Sequence, residues 1–263
     1  MTAEAKAVLL TVGADEERRE IASILRPGAA PGLFWLGGFN SDMAGTKALA
    51  LDGFAEARGL AMTRFDYSGH GISGGRFADG TISRWLEEAL AVFDRTQGQQ
   101  ILIGSSMGGW LALLLTEAHR AAAGPGKSRI AGLVLIAPAV DMTRALMWAE
   151  MDEAARATLM TTGAWLRPSD YAAEPYPITR ALIEDGDRHL FGNRLIETGC
   201  PVHIIQGLRD ADVPWRHATG LVSRFASDDV VLTLIKDGDH RLSRPEDIER
   251  LVAAVDGLVS DAG

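Results

Sequence analysis

The stretch Ile101–Trp110, ILIGSSMGGW, carries the pattern G-x-S-x-G on Gly104, Ser106 and Gly108. It closes the apolar run QQILIGSS and opens a segment, Met107 to Ala118, whose apolar residues recur with helical spacing. A serine so framed sits on a tight strand-to-helix turn, with its hydroxyl projected beyond the end of a sheet. Glycines are required because side chains at those two positions would collide with neighbouring backbone and because the turn is strained. Ser105 has no glycines at the right offsets. The first amides of the following helix lack intrahelical acceptors and favour negative charge on a substrate oxygen. The N–H of Met107 is therefore the first expected oxyanion donor. The competing reading is a Gly- and Ser-rich turn used only for close packing or for holding a phosphate.

On either side of this segment lie comparable apolar runs: AVLLTV, GLFWLGG, GLAMTRFDY, RIAGLVLIAP, CPVHIIQG and DVVLTLIKDG. Runs of this kind suit strands covered on both faces, as in a mostly parallel sheet. Helical spacing is found over Thr46 to Arg58, Thr81 to Gln97, Pro214 to Phe225 and Pro245 to Leu258. The alternation predicts an α/β, doubly wound, mostly parallel sheet. A length of 263 residues suits one such domain, residues 1–263.

One stretch breaks the alternation. Residues 141–199 contain no convincing strand and include Trp148, Met151, Met160, Trp165, Tyr171 and Tyr176. The expectation is a small helical cap inserted between core strands. The alternative is an irregular surface excursion of a few packed helices, since long insertions are tolerated thermodynamically. Trp148, Met151, Met160 and Trp165 either form an apolar acyl slot or bury the cap against the sheet.

A serine nucleophile needs a base, and the base needs a group that fixes its tautomer. In folds of this type the acid and then the histidine follow the serine along the chain. Of six histidines, only His217 and His240 lie beyond the strand-like VHIIQG and the GLRDADVP that follows it. His217 falls within a helical pattern, whereas His240 lies in the loop KDGDHRLS, where active-site groups of open α/β sheets collect. His70, His119, His189 and His203 precede the acid and are read as structural or surface groups. Asp210 comes directly off the strand end and is preferred over Asp212, which is left to hold the loop or cap the next helix. Asp237 and Asp239 flank His240 too closely to orient it. The second oxyanion donor is expected from GLFWLGGFNSD, at the N–H of Phe39 after Gly37 and Gly38; a plain Gly-Gly turn is the competing reading.

With these residues in place, the chain resembles a family of α/β hydrolases typified by the mammalian mitochondrial palmitoyl-protein thioesterase that also acts as an acyl-glucuronide esterase. The matching stretches are GFNSDMAGTKALAL, RFDYSGHGISGG, ILIGSSMGGWL, QGLRDADVPW and DGDHRL, in that order from about Gly37 to Leu242. SDMAGTKALA and DVPW are the more specific of them. The resemblance implies an α/β-hydrolase fold, a triad at Ser106, Asp210 and His240, oxyanion donors at Phe39 and Met107, and action on acyl thioesters or activated acyl esters. The cap matches that family less closely.

Composition narrows the remaining possibilities. A net charge of -9 with no run of Lys and Arg argues against nucleic acid as a partner. The single cysteine, Cys200, cannot form an internal disulfide, and the first residues, MTAEAKAVLLTVG, lack a basic leader and a long apolar core. These features predict a cytoplasmic protein with no membrane-spanning segment. H-E-x-x-H, Cys-x-x-Cys, a Walker-type loop and G-x-G-x-x-G after the first strand are missing, so neither a metal nor an organic cofactor is expected. The expected partner is a small-molecule or acylated substrate with an apolar acyl group. A perhydrolase or lyase using the same triad and a catalytically silent binding protein are the rival readings; oligomeric state is not legible.

Overall fold

In the computed structural model, which describes residues 6–168, 175–226 and 229–262, strand alternation sorts side chains between two faces of one sheet. Phe34, Leu36 and Leu102 enter one core, and Leu33, Trp35, Ile101 and Ile103 enter another on the opposite face. The elements in chain order are β1 (Val8–Val12), β2 (Arg19–Arg26), β3 (Ala29–Leu36), α1 (Thr46–Arg58), β4 (Leu60–Phe65), α2 (Ile82–Phe93), β5 (Gln100–Ser105), α3 (Met107–Ala123) and β6 (Ile130–Ile136). They continue with α4 (Glu153–Thr162), β7 (Ala164–Arg167), β8 (Tyr176–Thr179), α5 (Arg180–Gly186), β9 (Val202–Gly207), α6 (Trp215–Val222), β10 (Val230–Ile235) and α7 (Pro245–Ala262).

Eight strands form the main sheet in the order β1-β2-β4-β3-β5-β6-β9-β10. Pairing is parallel from β4 to β10, and β2 and β1 add antiparallel strands at one edge. Helices α2 and α3 contribute to the core of one face, α1 and α7 to that of the other, which is the doubly wound arrangement. The chain leaves β3 toward β4 on one side and later returns through β5 on the other. The carboxyl ends of β3 and β5 therefore diverge at a topological switch point, where open α/β sheets bind ligands.

Three strands depart from expectation. β2, REIASILR, was not expected, because Arg19, Glu20 and Arg26 interrupt its apolar residues. Arg19 is nevertheless buried, and it is neutralised by Glu88, which is fully buried, and by Glu87 at 2.5 Å, both on α2. The stretch expected to hold no strand contains β7 and β8, which pair antiparallel with Ala164 opposite Thr179 and Arg167 opposite Tyr176. Each is only four residues long, too short for a period to register. Tyr171, named among the cap aromatics, lies outside the described residues.

Between β6 and β9 the chain also runs through a π-helical turn at Thr143–Trp148, α4 and α5. The Asp152 side chain accepts the Ala155 N–H at 2.7 Å to start α4, and Thr179 accepts that of Leu182 at 3.1 Å to start α5. At the base, Asp141 accepts the amides of Phe191 and Gly192 at 2.7 and 2.9 Å, which ties the outgoing chain to the returning one.

Candidate active site

Ser106 adopts φ 54° and ψ −117°, a conformation that a side-chain-bearing residue holds only when its surroundings enforce it. Its N–H donates to Ile136 O at 2.8 Å, and its carbonyl accepts from Gly109 and Ala139 at 2.9 and 3.1 Å. The framing glycines are sterically obligatory. A Cβ on Gly104 would lie 2.3 Å from Gly108 O, and one on Gly108 would lie 2.0 Å from Leu36 O. β3, β5 and α3 are thus pressed together at the turn, as the G-x-S-x-G pattern requires.

His240 stands between the serine and an acid. Its Nε2 lies 3.1 Å from Ser106 Oγ and its Nδ1 lies 2.9 Å from Asp210 Oδ2. Asp210 is buried, and its other contacts are donors: the Asp212 and Val213 amides reach Oδ1 at 3.0 and 2.8 Å, and Gln206 Nε2 reaches Oδ2 at 3.1 Å. These donors fix the carboxylate in place and satisfy its buried oxygens. The loops carrying acid and histidine are mutually registered, because the Arg209 N–H donates to Gly238 O at 2.9 Å. A Cβ on Gly207 would come within 2.3 Å of that same oxygen.

The structure brings Ser106, His240 and Asp210 together and places the Asp212 carboxylate 3.8 Å from Arg167. Asp237 pairs with Arg244 at 2.7 Å and Asp239 accepts the Leu242 N–H at 2.9 Å, so both brace the loop. Ligand atoms of Asp210, Asp212 and His240 lie within 4.8 Å of one another, a spacing compatible with metal ligands. Both ring nitrogens of His240, however, already face hydrogen-bonding partners. The remaining histidines are structural: Nε2 of His119 accepts Arg129 N–H at 3.2 Å, His189 meets Ser83 Oγ at 2.7 Å, and His203 meets Thr233 Oγ1 at 2.9 Å. His217 is partly buried in α6, and burial lowers its pKa.

Met107 is the first residue of α3, so its amide has no carbonyl a turn earlier in the helix to bond to. The Gly37-Gly38-Phe39 loop leaves the end of β3 and lies directly on the serine turn, where a Cβ on Gly38 would be 3.4 Å from Ser106 Cβ. Phe39 lines the same cavity as Ser106 and His240. That cavity, about 180 Å³, is walled by Met142, Leu146, Met147 and Val213, with Tyr176 and Arg167 also on its wall. Sequence reasoning named Tyr176 in this stretch but missed Met142, Leu146 and Met147. It named instead Trp148, which lies beneath the Arg144 and Arg156 guanidiniums, Met160, which is exposed, and Met151 and Trp165, which line a neighbouring pocket.

A serine on a strand-to-helix turn, a histidine and an acid on later loops, and a doubly wound sheet are the marks of the α/β hydrolases. The chain belongs to this family: the model of the alpha/beta hydrolase family matches residues 28–254. Among curated proteins it is similar to the mitochondrial palmitoyl-protein thioesterase ABHD10 of mouse, 37% identical over 88% of this chain and 76% of that one. The human protein of the same name is 35% identical over 88% of this chain and 74% of its own length. Among solved structures, a putative hydrolase from Agrobacterium vitis superposes with a TM-score of 0.94 at 49% identity, covering 97% of this chain and 99% of the other. Mouse alpha/beta hydrolase domain-containing protein 10 gives 0.84 at 32% identity, covering 98% and 100%.

The chain is accordingly a hydrolase, and its relatives are named for thioesterase activity. The expectation of a cytoplasmic protein is corrected by the same comparison, because the curated relatives are named as mitochondrial. That expectation rested on what the first residues lack, which is a poor reporter of compartment. Among the described residues no helix is long and apolar enough to cross a membrane.

Proposed function

We propose that this hydrolase cleaves acyl thioesters and esters with Ser106 as nucleophile, His240 as general base and acid, Asp210 as the group orienting the imidazole, and the Phe39 and Met107 amides as oxyanion donors. The observation that carries this reading is the two-sided contact of His240, 3.1 Å to Ser106 Oγ and 2.9 Å to Asp210 Oδ2. Asp210 favours the tautomer with the proton on Nδ1, which leaves the Nε2 lone pair for the serine proton, and it stabilises the imidazolium that follows.

Ser106 Oγ attacks the acyl carbon as its proton passes to His240 Nε2, and the carbonyl oxygen becomes an oxyanion facing the two amides. Collapse breaks the bond from carbon to sulfur or oxygen, and the departing thiolate or alkoxide takes the proton from His240. Water then attacks the acyl-serine and loses its proton to His240. The carbon–Oγ bond breaks, Ser106 recovers the proton, and a carboxylic acid is released. No oxidant, reductant or metal enters this balance.

Residues 141–199 serve as a cap on the single domain 1–263, and the apolar wall of Met142, Leu146 and Met147 receives the acyl group. The acylated protein named for the curated relatives makes an acyl thioester the first substrate class to test. The test is steady-state hydrolysis of a p-nitrophenyl ester and of acyl thioesters of increasing length by wild type and Ser106→Ala, with fluorophosphonate labelling of both. The variant is expected to lose at least about a thousandfold in kcat and to resist labelling. Equal activity in both proteins, or an unlabelled wild type inactive on every substrate, would overturn the proposal.

A further inference from the structure

Two cavities meet at Ser106. The first is the apolar one already described. The second, about 240 Å³, shares Phe39, Asn40, Ser106 and His240 with it but is otherwise lined by Trp35 and by mostly polar side chains, among them Ser41, Asp42, Lys47, Arg241 and Ser243, from the end of β3, the start of α1 and the loop after His240. We infer that this second cavity receives the leaving group of the acyl substrate, and that Lys47, together with Arg241, selects leaving groups bearing an oxyanionic substituent, a carboxylate or a phosphate. This inference rests on the assignment of Ser106 and His240 as nucleophile and base.

Geometry separates the two cavities by role. At a tetrahedral acyl centre the acyl chain and the departing atom point in different directions, and the departing atom must come within reach of His240 Nε2 to take its proton. His240 lines both cavities. Only the first has the apolar wall that suits an acyl chain, so the second is left for the thiol or alcohol.

Charge identifies what that thiol or alcohol carries. Lys47 Nζ is held by the carbonyl of Arg241 and lies 3.5 Å from Ser243 Oγ, both neutral acceptors. An ammonium has three donors, and neither partner carries charge. Burial pushes Lys47 down to about 8, the Arg241 cation acts in the same sense, and Asp239 and Asp247 pull the other way. A cation so desolvated gains from a bound anion. The indole N–H of Trp35, which also lines the cavity, finds no partner among the described residues. The carboxylate on this wall, Asp42, spends one oxygen on the Ala44 amide at 2.9 Å.

The test holds the acyl group constant and varies the leaving thiol. S-butyryl esters of 3-mercaptopropionate (carboxylate), 2-mercaptoethyl phosphate (phosphate) and N-acetylcysteamine (neutral) are hydrolysed by wild type, Lys47→Met and Lys47→Arg. Wild type is expected to favour an anionic thioester in kcat/KM, and Lys47→Met to lower the anionic-to-neutral ratio by at least about tenfold, with Lys47→Arg retaining most of it. Preference for only one anionic thiol identifies the substituent. An anionic-to-neutral ratio that is the same in all three proteins overturns the inference. If Lys47→Met fails to fold, wild type alone decides: 3-mercaptopropionate or 2-mercaptoethyl phosphate must inhibit more tightly than N-acetylcysteamine, and equal inhibition overturns the inference. Wild type that hydrolyses none of the thioesters removes the underlying assignment of Ser106 and His240 as well, a different failure from activity without charge selection.

Discussion

Nε2 of His70 accepts the backbone N–H of Asn40 at 3.1 Å, one residue beyond Phe39, while Nδ1 of the same ring lies 3.1 Å from Ser68 O. The two contacts require one tautomer, with the proton on Nδ1 donated to Ser68 and Nε2 bare. Four residues earlier, Asp66 Oδ1 accepts the Met43 N–H at 2.6 Å. The turn Asp66–Gly71 thereby grips the loop after β3 at two points, and that loop carries the Phe39 amide.

Burial lowers His70 to about 4 from its usual 6.5. The unfolded chain therefore binds more protons between those values. The contribution of neutral His70 to stability is complete above 6.5 and is lost as pH falls toward 4. The loss runs at roughly 1.4 kcal/mol per pH unit at most. His217, His189, His203 and His119, also lowered by burial, add slopes of the same sign. Urea midpoints measured from neutral pH down to about 4.5 are expected to fall more gently for His70→Gln than for wild type. Superimposable slopes would refute the assignment.

Asp210→Asn is expected to leave the fold intact and lower kcat by about a thousandfold or more, because an amide at that position favours the wrong imidazole tautomer. Asp212→Asn, whose carboxylate lies 3.8 Å from Arg167 while Asp210 holds His240 Nδ1, is expected to stay within about tenfold of wild type. Kinetics of the pair on one ester decide between them, and a larger loss in Asp212→Asn would reverse the assignment of the acid.

The strained backbone at Ser106 predicts a stability gain when function is removed. Ser106→Gly relieves the positive φ and is expected to raise stability by about 1 kcal/mol, a few degrees in Tm, while abolishing turnover. Ser106→Ala keeps the strain and serves as the control in calorimetry. Equal melting temperatures for the two variants would show that the turn is relaxed.

Glu88 bonds the Arg19 guanidinium with one oxygen and the Ser68 amide with the other, the latter at 2.8 Å. Glu88→Ala leaves buried Arg19 with the exposed Glu87 as its remaining carboxylate partner and takes the acceptor from the Ser68 amide, and is expected to cost about 3 kcal/mol. Arg19→Met with Glu88→Met removes the charge on both sides and should recover part of that loss, although the Ser68 amide stays unpaired. A double-mutant cycle in urea measures the coupling, and additive single losses would mean that the pair is uncoupled.

Much of the architecture was legible because its signals are local. The α1 boundaries, Thr46 to Arg58, agree with expectation because Gly45 and Gly59 punctuate the segment, Gly59 ending it at φ 65°. The serine turn, the Asp210 loop and the His240 loop each follow an apolar strand and could be found one at a time. β2 was hidden because the partners that neutralise Arg19 lie on α2, far along the chain. The apolar wall was hidden for a related reason. Leu146 and Met147 belong to a π-helical stretch, with Met142 just before it, whose spacing fits neither a strand nor an ordinary helix, and Asp141 ties the two ends of the segment together beside them. Trp148, one residue further on, faces two arginines instead.

The close approach of Gly207 and Gly238 has a bearing on how this site can change over generations. With no room for a side chain between the acid loop and the histidine loop, the two are threaded past each other backbone against backbone. A substitution at either glycine would displace the carboxylate and the imidazole together. Drift in the Asp210–His240 pair is therefore confined to paired changes, whereas residues 141–199, the cap of the proposed function, are tied to the rest through Asp141, the Ser83 bonds to Asp185 and His189, and side-chain packing, and on that proposal can vary residue by residue and retune which acyl group is accepted.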